Sequence, residues 1–182
     1  NFLNDIGYVF YSTDNDLAAD TLYRKTIKLN IKAKKDSSLA VASALNGLGL
    51  LKMRKSKYQL ADSLFNRSLD IYRYHFSNLH PSIGVVLLNK SQLSMKRKEV
   101  NDALSLINQA LDNYTPFHRN DHPIIGDMLY QKGSILTMKG DFTNAVKFLS
   151  DALKIYSDDS EFHHQKIRKI NIQLRSIENI RR

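Results

Sequence analysis

Residues 78–93 read "NLHPSIGVVLLNKSQL" and residues 120–136 read "NDHPIIGDMLYQKGSIL". Each stretch has His-Pro, two residues, a glycine (Gly84, Gly126) and an apolar run, and His80 lies 42 residues before His122. A phrase written twice at a fixed distance points to a structural unit used more than once. Sliding the chain against itself by 42 extends the match to four registers. Leu3, Leu45, Leu87 and Leu129 share a column, and Gly7, Gly49, Ser91 and Gly133 follow four residues later. Val9, Leu51, Leu93 and Ile135 come next, then an alanine column of Ala19, Ala61, Ala103 and Ala145. Tyr23, Phe65, Ile107 and Leu149 form a large apolar column, Thr26, Ser68, Ala110 and Ala152 a small one, and Ile27, Leu69, Leu111 and Leu153 another apolar one.

Within each unit the spacing is helical. Ala61, Leu64, Phe65, Ser68 and Leu69 fall at i, i+3, i+4, i+7 and i+8, the stripe of an amphipathic helix, and Leu45, Leu48 and Leu51 mark a helix before it. Short polar breaks, "RKSKY", "RKEV" and "KGDF", separate the two. The unit is therefore expected to be helix, tight turn, helix. Small columns let helices approach closely and large ones fill the space between. Pro81 and Pro123 suit a first helical turn, where a missing N–H costs nothing. The segment "SEFHHQKIRKINIQLRSIENIRR" reads as one more helix, with Ser160 as its cap and a stripe of Ile167, Ile170, Leu174 and Ile177. His164 lies 42 after His122, so this helix is either a worn fifth first-helix that caps the array or a connector to a further domain.

The rest of the chain narrows the function. It has 182 residues, 42% hydrophobic and 25% charged, with three prolines and seven glycines, which disfavours long irregular stretches and an all-β sandwich. No apolar run reaches the roughly 20 residues of a membrane span, and there is no signal-peptide pattern. The chain begins at Asn1 and is expected to be a piece of a longer protein. Without cysteine there is no disulfide, thiol nucleophile or Cys-ligated zinc. No phosphate-binding glycine loop, nucleophile elbow or HExxH occurs, so no enzyme activity, catalytic residue or cofactor is expected. His75, His80, His118 and His122 precede the third and fourth units and are read as loop and helix-start residues rather than metal ligands. The net charge of +9 is concentrated in residues 31–57 (seven basic, one acidic) and 161–182 (six basic, two acidic). Aromatic residues sit in the core columns rather than among the basic ones, so neither nucleic acid nor a membrane is expected as partner.

The glycine, alanine and small columns resemble the eighth, twentieth and twenty-seventh positions of the tetratricopeptide repeat (TPR). The period of 42 and the His-Pro opening are similar to the kinesin light chain variety of that repeat. The resemblance covers about residues 1–156. It departs at Lys90 and Lys132, where an apolar residue is usual, and at Ser38-Leu39, which replaces His-Pro. It implies an all-α, right-handed α-solenoid of four units, about 1–36, 37–78, 79–120 and 121–156, with 157–182 as the capping or connector helix. It also implies a concave groove lined by the first helices. The inward positions are Asn4, Tyr8, Tyr11 and Ser12; Ser43, Asn46, Leu50, Met53 and Arg54; Val85, Leu88, Gln92, Met95 and Lys96; and Asp127, Tyr130, Ser134, Thr137 and Met138. This mixed lining suits a peptide. The paired Lys and Asn of carboxylate-clamping TPR domains are missing. The expectation is a non-catalytic, cytoplasmic protein- or peptide-binding scaffold. Its partner would be an acidic segment with apolar anchors, met by Arg54 and Lys96 beside Met53 and Met95. The alternative is a ligand-sensing or regulatory module of a larger bacterial sensor kinase or transcription regulator.

Overall fold

The computed structural model describes residues 2–157 and 160–181, the side chains of 160–162 and 181 excepted. The helices are α1 (Phe2–Ser12), α2 (Asp16–Lys32), α3 (Leu39–Arg54), α4 (Tyr58–Phe76), α5 (Pro81–Lys96), α6 (Val100–Tyr114), α7 (Pro123–Lys139), α8 (Phe142–Ser157) and α9 (Ser160–Arg181), with a 3-10 turn at Thr115–Phe117. The capping role expected of Ser160 falls on a side chain outside the described residues.

The repeated His-Pro starts helices because its two residues do different jobs. Nδ1 of His80 accepts the backbone N–H of Ser82 at 3.1 Å, and Nδ1 of His122 accepts that of Ile124 at 3.2 Å. Each thus satisfies one of the orphan donors of a helix start. The proline takes the next position, where it has no N–H to leave unpaired. Ser38 replaces the histidine at α3, its hydroxyl accepting from Val41 at 3.3 Å. Burial lowers the pKa of His80, which keeps the ring neutral and Nδ1 free to accept.

The turn within each unit is also repeated. Asp14, Ser56, Lys98 and Gly140, each 42 residues after the last, all have positive φ, from 57° to 82°. In the second unit the N–H of Ser56 donates to the carbonyl of Met53 at 3.0 Å and that of Lys57 to Lys52 at 2.9 Å. The same pair of bonds closes α1, α5 and α7. This is the Schellman ending, in which a left-handed residue lets the last carbonyls find donors.

Packing follows the columns. Ala19, Ala61, Ala103 and Ala145 are fully buried, and Tyr23, Phe65, Ile107 and Leu149 are at most 2% exposed. The glycine column faces the large one. A Cβ on Gly7 would lie 2.8 Å from the Tyr23 ring, on Gly49 2.5 Å from Phe65, and on Gly133 2.7 Å from Leu149. Ser91, the exception, donates its hydroxyl to the Ala103 carbonyl at 2.8 Å. The helices pair as α1–α2, α3–α4, α5–α6 and α7–α8; each second helix packs on the next first helix, and first helices touch along one layer. The result is an α-solenoid.

Two places depart from the column pattern. Val9 belongs to an apolar column whose other members are at most 1% exposed, yet it is 57% exposed. The column is buried by the second helix of the preceding unit, and the described residues hold no helix before α1. At the other end α9 packs on both α7 and α8. Its Ile170 and Ile177 are fully buried and fall in register with Met128 and Ile135 of α7. Thus α9 sits where a fifth first helix would. Its face for a second helix of its own carries Arg175 in the column of Gly7, Gly49, Ser91 and Gly133. The unusual lysines are accommodated singly: Lys90 pairs with Asp62 at 3.1 Å and hydrogen-bonds Asn66, while Lys132 lies over the Phe148 ring, 4.2 Å from its centre.

Candidate functional site

The layer of first helices curves around a trough of about 810 Å³. The same period that builds the core sets its lining, because a residue one column away from the buried stripe faces inward in every unit. Of the residues expected there, Asn4, Tyr8, Tyr11, Asn46, Leu50, Leu88, Gln92, Met95, Tyr130 and Ser134 line it, with Ser43, Val85 and Asp127. Tyr8 is 60% exposed. Asn4 donates its amide N–H to the Ala40 carbonyl at 2.8 Å, and its Oδ1 has no hydrogen-bond partner. Tyr23 backs the wall, its ring against Gly7 and Gly47; burial, then the neighbouring Tyr11 and Tyr8, push its phenol up to about 12.

Six of the expected residues lie outside this lining, of which Ser12 and Met138 are exposed. Met53 is only 5% exposed and belongs to the core. Arg54 serves the fold. Its guanidinium lies 3.9 Å from the centre of the Tyr11 ring, its Nη2 donates to the Tyr11 carbonyl at 3.0 Å, and its Nη1 reaches Asp16 at 2.7 Å and Asp14 at 2.9 Å. These contacts fasten the α1–α2 turn to α3. Burial works to lower the pKa of Arg54, but Tyr11, Asp16 and Asp14 together outweigh it and raise it, holding the charge it spends internally. Lys96 is exposed at the end of α5, outside the trough lining. Thr137 donates to the Gly133 carbonyl at 2.9 Å and accepts from Gln173 at 3.2 Å.

Other lining residues escaped the inward-position rule: Asn89, Gln131, Ile124, and Lys166 and Lys169 of α9. The first two form a polar rung between units. Asn89 donates to Asn46 Oδ1 at 2.9 Å; Gln131 donates to Ser91 Oγ at 2.8 Å. Gln173, one period on, accepts from Ser134 at 3.0 Å. The signal was in the sequence: Asn89, Gln131 and Gln173 form a polar column inside apolar helices. At the α9 end Lys166 pairs with Asp127 at 2.6 Å, and Asp127 also accepts from the Tyr156 hydroxyl at 2.7 Å. The Asp127 charge and burial together push the Tyr156 pKa up, burial more. Lys169 is exposed. Among the described residues no group of three His or acidic side chains is placed to hold a metal ion, and no helix is long and apolar enough to cross a membrane.

Residues 126–159 match the tetratricopeptide repeat family. No curated protein matches the chain. Among solved structures, BtubC (BKLC) from P. vanneervenii is similar at TM-score 0.73 and 16% identity, over 86% of this chain and 62% of that one. This chain therefore spans less than two thirds of that structure. A Podosopora anserina chain described as kinesin light chain with nearly identical TPR-like repeats is similar at TM-score 0.68 and 14% identity, over 97% of this chain and 93% of that one. PilF of Pseudomonas aeruginosa is similar at TM-score 0.66 and 16% identity, over 96% and 68%. At these identities the likeness is one of fold.

Proposed function

We propose that this TPR-type solenoid is a non-catalytic binding scaffold whose trough holds an extended or helical polypeptide segment. The observation that carries the reading is the lining itself. Four first-layer helices supply tyrosine, leucine and methionine beside neutral amides and hydroxyls, with Asp5 and Asp127 among them, and α9 adds Lys166 and Lys169, in one continuous concavity. Such a surface gives apolar side chains places to anchor and gives a peptide backbone donors and acceptors. The acidic character expected of the partner now rests on Lys169 at the α9 end, since Arg54 is committed to Asp14 and Asp16. In this reading α9 both caps the stack and forms the last wall.

The test is selection from a random peptide library on the folded chain, then affinity measurement on variants. Gln92→Arg places a long cation in the middle of the trough and Tyr8→Ala removes an exposed aromatic, and neither residue is in a core column. Selected peptides should bind both variants at least about tenfold more weakly. Peptides that bind the variants as they bind the parent would put the recognition surface elsewhere.

A further inference from the structure

The outer face of α2 is unlike its counterparts in the other units. Between Arg24 and Lys35 the chain carries six cations and no acidic residue. Arg24 pairs with Asp20, but Lys25, Lys28, Lys32, Lys34 and Lys35 are exposed and have no ion pair among the described residues. The repeat supplies an internal control. The positions of Arg24, Lys25, Lys28 and Lys32 hold Asn66, Arg67, Asp70 and Tyr74 in the second unit, Asn108, Gln109, Asp112 and Pro116 in the third, and Ser150, Asp151, Lys154 and Asp158 in the fourth. The first unit thus puts four cations on a row that holds at most one in each other unit, more than keeping the solenoid wetted requires.

Two apolar side chains share that face. At 3.6 residues per turn, Ile31, Leu17, Arg24, Lys28, Lys32 and Lys25 lie within about 120° of arc. Leu17 is 80% exposed and Ile31 is 53% exposed. They lie about 21 Å apart along the helix, with Arg24, Lys25 and Lys28 between them and Lys32, Lys34 and Lys35 just beyond Ile31.

We propose that this face of α2 docks on an anionic lipid surface. The lysines would sit at the headgroups, and Leu17 and Ile31 would reach past them into the acyl boundary. Clusters of four to eight cations on an amphipathic helix have this property, and lysine keeps its stem on apolar material and its ammonium in the polar layer. Other polyanions fit less well. Lysine is depleted in protein–protein contacts. The face has no exposed aromatic residue for stacking on bases. Leu17 and Ile31 would gain nothing against phosphates. The surface lies on the outside of the first unit and the proposal is independent of the trough.

The test is co-sedimentation of the folded chain with vesicles of phosphatidylcholine alone and with phosphatidylserine added, at low and at physiological salt. Binding should need the anionic lipid and weaken with salt. Lys25→Gln with Lys28→Gln and Lys32→Gln should lower partitioning at least about tenfold. Leu17→Ser with Ile31→Ser should lower it as well. Arg168→Gln with Arg175→Gln, on α9, should leave it unchanged. Circular dichroism checks that each variant is folded. Equal binding to both vesicles, or equal loss in the α9 variant, would overturn the proposal. So would indifference to Leu17 and Ile31 together with lysine-dependent binding of duplex DNA or polyglutamate, which would make the face a general polyanion site.

Discussion

At the scale of single residues, side chains expected to meet a ligand are partly spent on the fold. Arg54 is the clearest case. Its position predicts an inward cation, but its reach lets it stack on Tyr11 and bridge Asp14 and Asp16 across the unit boundary. Contacts of that range could not be read from spacing within one helix. Arg54→Ala should destabilise by about 1–2 kcal/mol and raise hydrogen exchange in α1 and α2 before the rest. Arg54→Lys should not rescue it, because an ammonium offers neither the planar stack nor the forked donors. Unchanged exchange in α1 would remove the clamp from the account. His80 gives a pH prediction. Its pKa is lowered in the fold by burial, so the folded state takes up its proton less readily than the unfolded chain. The stability this contributes is full above the ordinary value of about 6.5 and is lost as pH falls through the lower folded value. His80→Asn keeps an acceptor at the helix start and removes the titration. The variant should therefore lose less stability than the parent between neutral and mildly acidic pH in urea titrations, and identical acid slopes would contradict the role given to the ring.

At the scale of elements, the turn column carries the sharpest prediction. Asp14, Ser56 and Lys98 hold the left-handed conformation that Gly140 holds without penalty. Lys98→Gly and Ser56→Gly should each stabilise by up to about 1 kcal/mol, the gain in the fold being partly offset by the freer unfolded chain. A Cβ on Gly140 would meet nothing within 4 Å, so Gly140→Ala should destabilise by about 1 kcal/mol through its backbone alone. Opposite signs in thermal melts would mean that the turn geometry differs between units. The helices, their order and their buried stripes were legible in the sequence because a 42-residue period repeats every constraint four times. The left-handed column was not, because aspartate, serine, lysine and glycine share no propensity that marks it. The polar rung of Asn89, Gln131 and Gln173 shows in the sequence as a column but not as a rung, since an amide in an apolar helix reads equally as a buried group with a local partner.

At the scale of the molecule, the stack is a one-dimensional structure whose ends matter most. Ile170 and Ile177 seal the apolar side of the fourth unit, together with Leu149 and Ala152. Removing residues 160–182 should expose that cluster, and the shortened chain should aggregate or melt earlier. A monomer with the parent's melting curve would make α9 a connector rather than a cap. The register of α9 was visible in the sequence through His164 and the isoleucine stripe. Its share in the trough was not, because Lys166 and Lys169 have no counterpart of their kind in the columns before them.

Binding of polypeptide in the trough is reported directly by the chain's four methionines. Met95 lines the trough, Met53 and Met128 are at most 5% exposed in the core, and Met138 is 49% exposed outside the trough lining. A methyl spectrum of the chain labelled at methionine, titrated with a library-selected peptide, therefore separates the surfaces in one experiment. A peptide held in the trough gives a large shift at Met95 and leaves Met138 and Met128 unmoved; a shift at Met138 with Met95 in place would put the peptide on another surface.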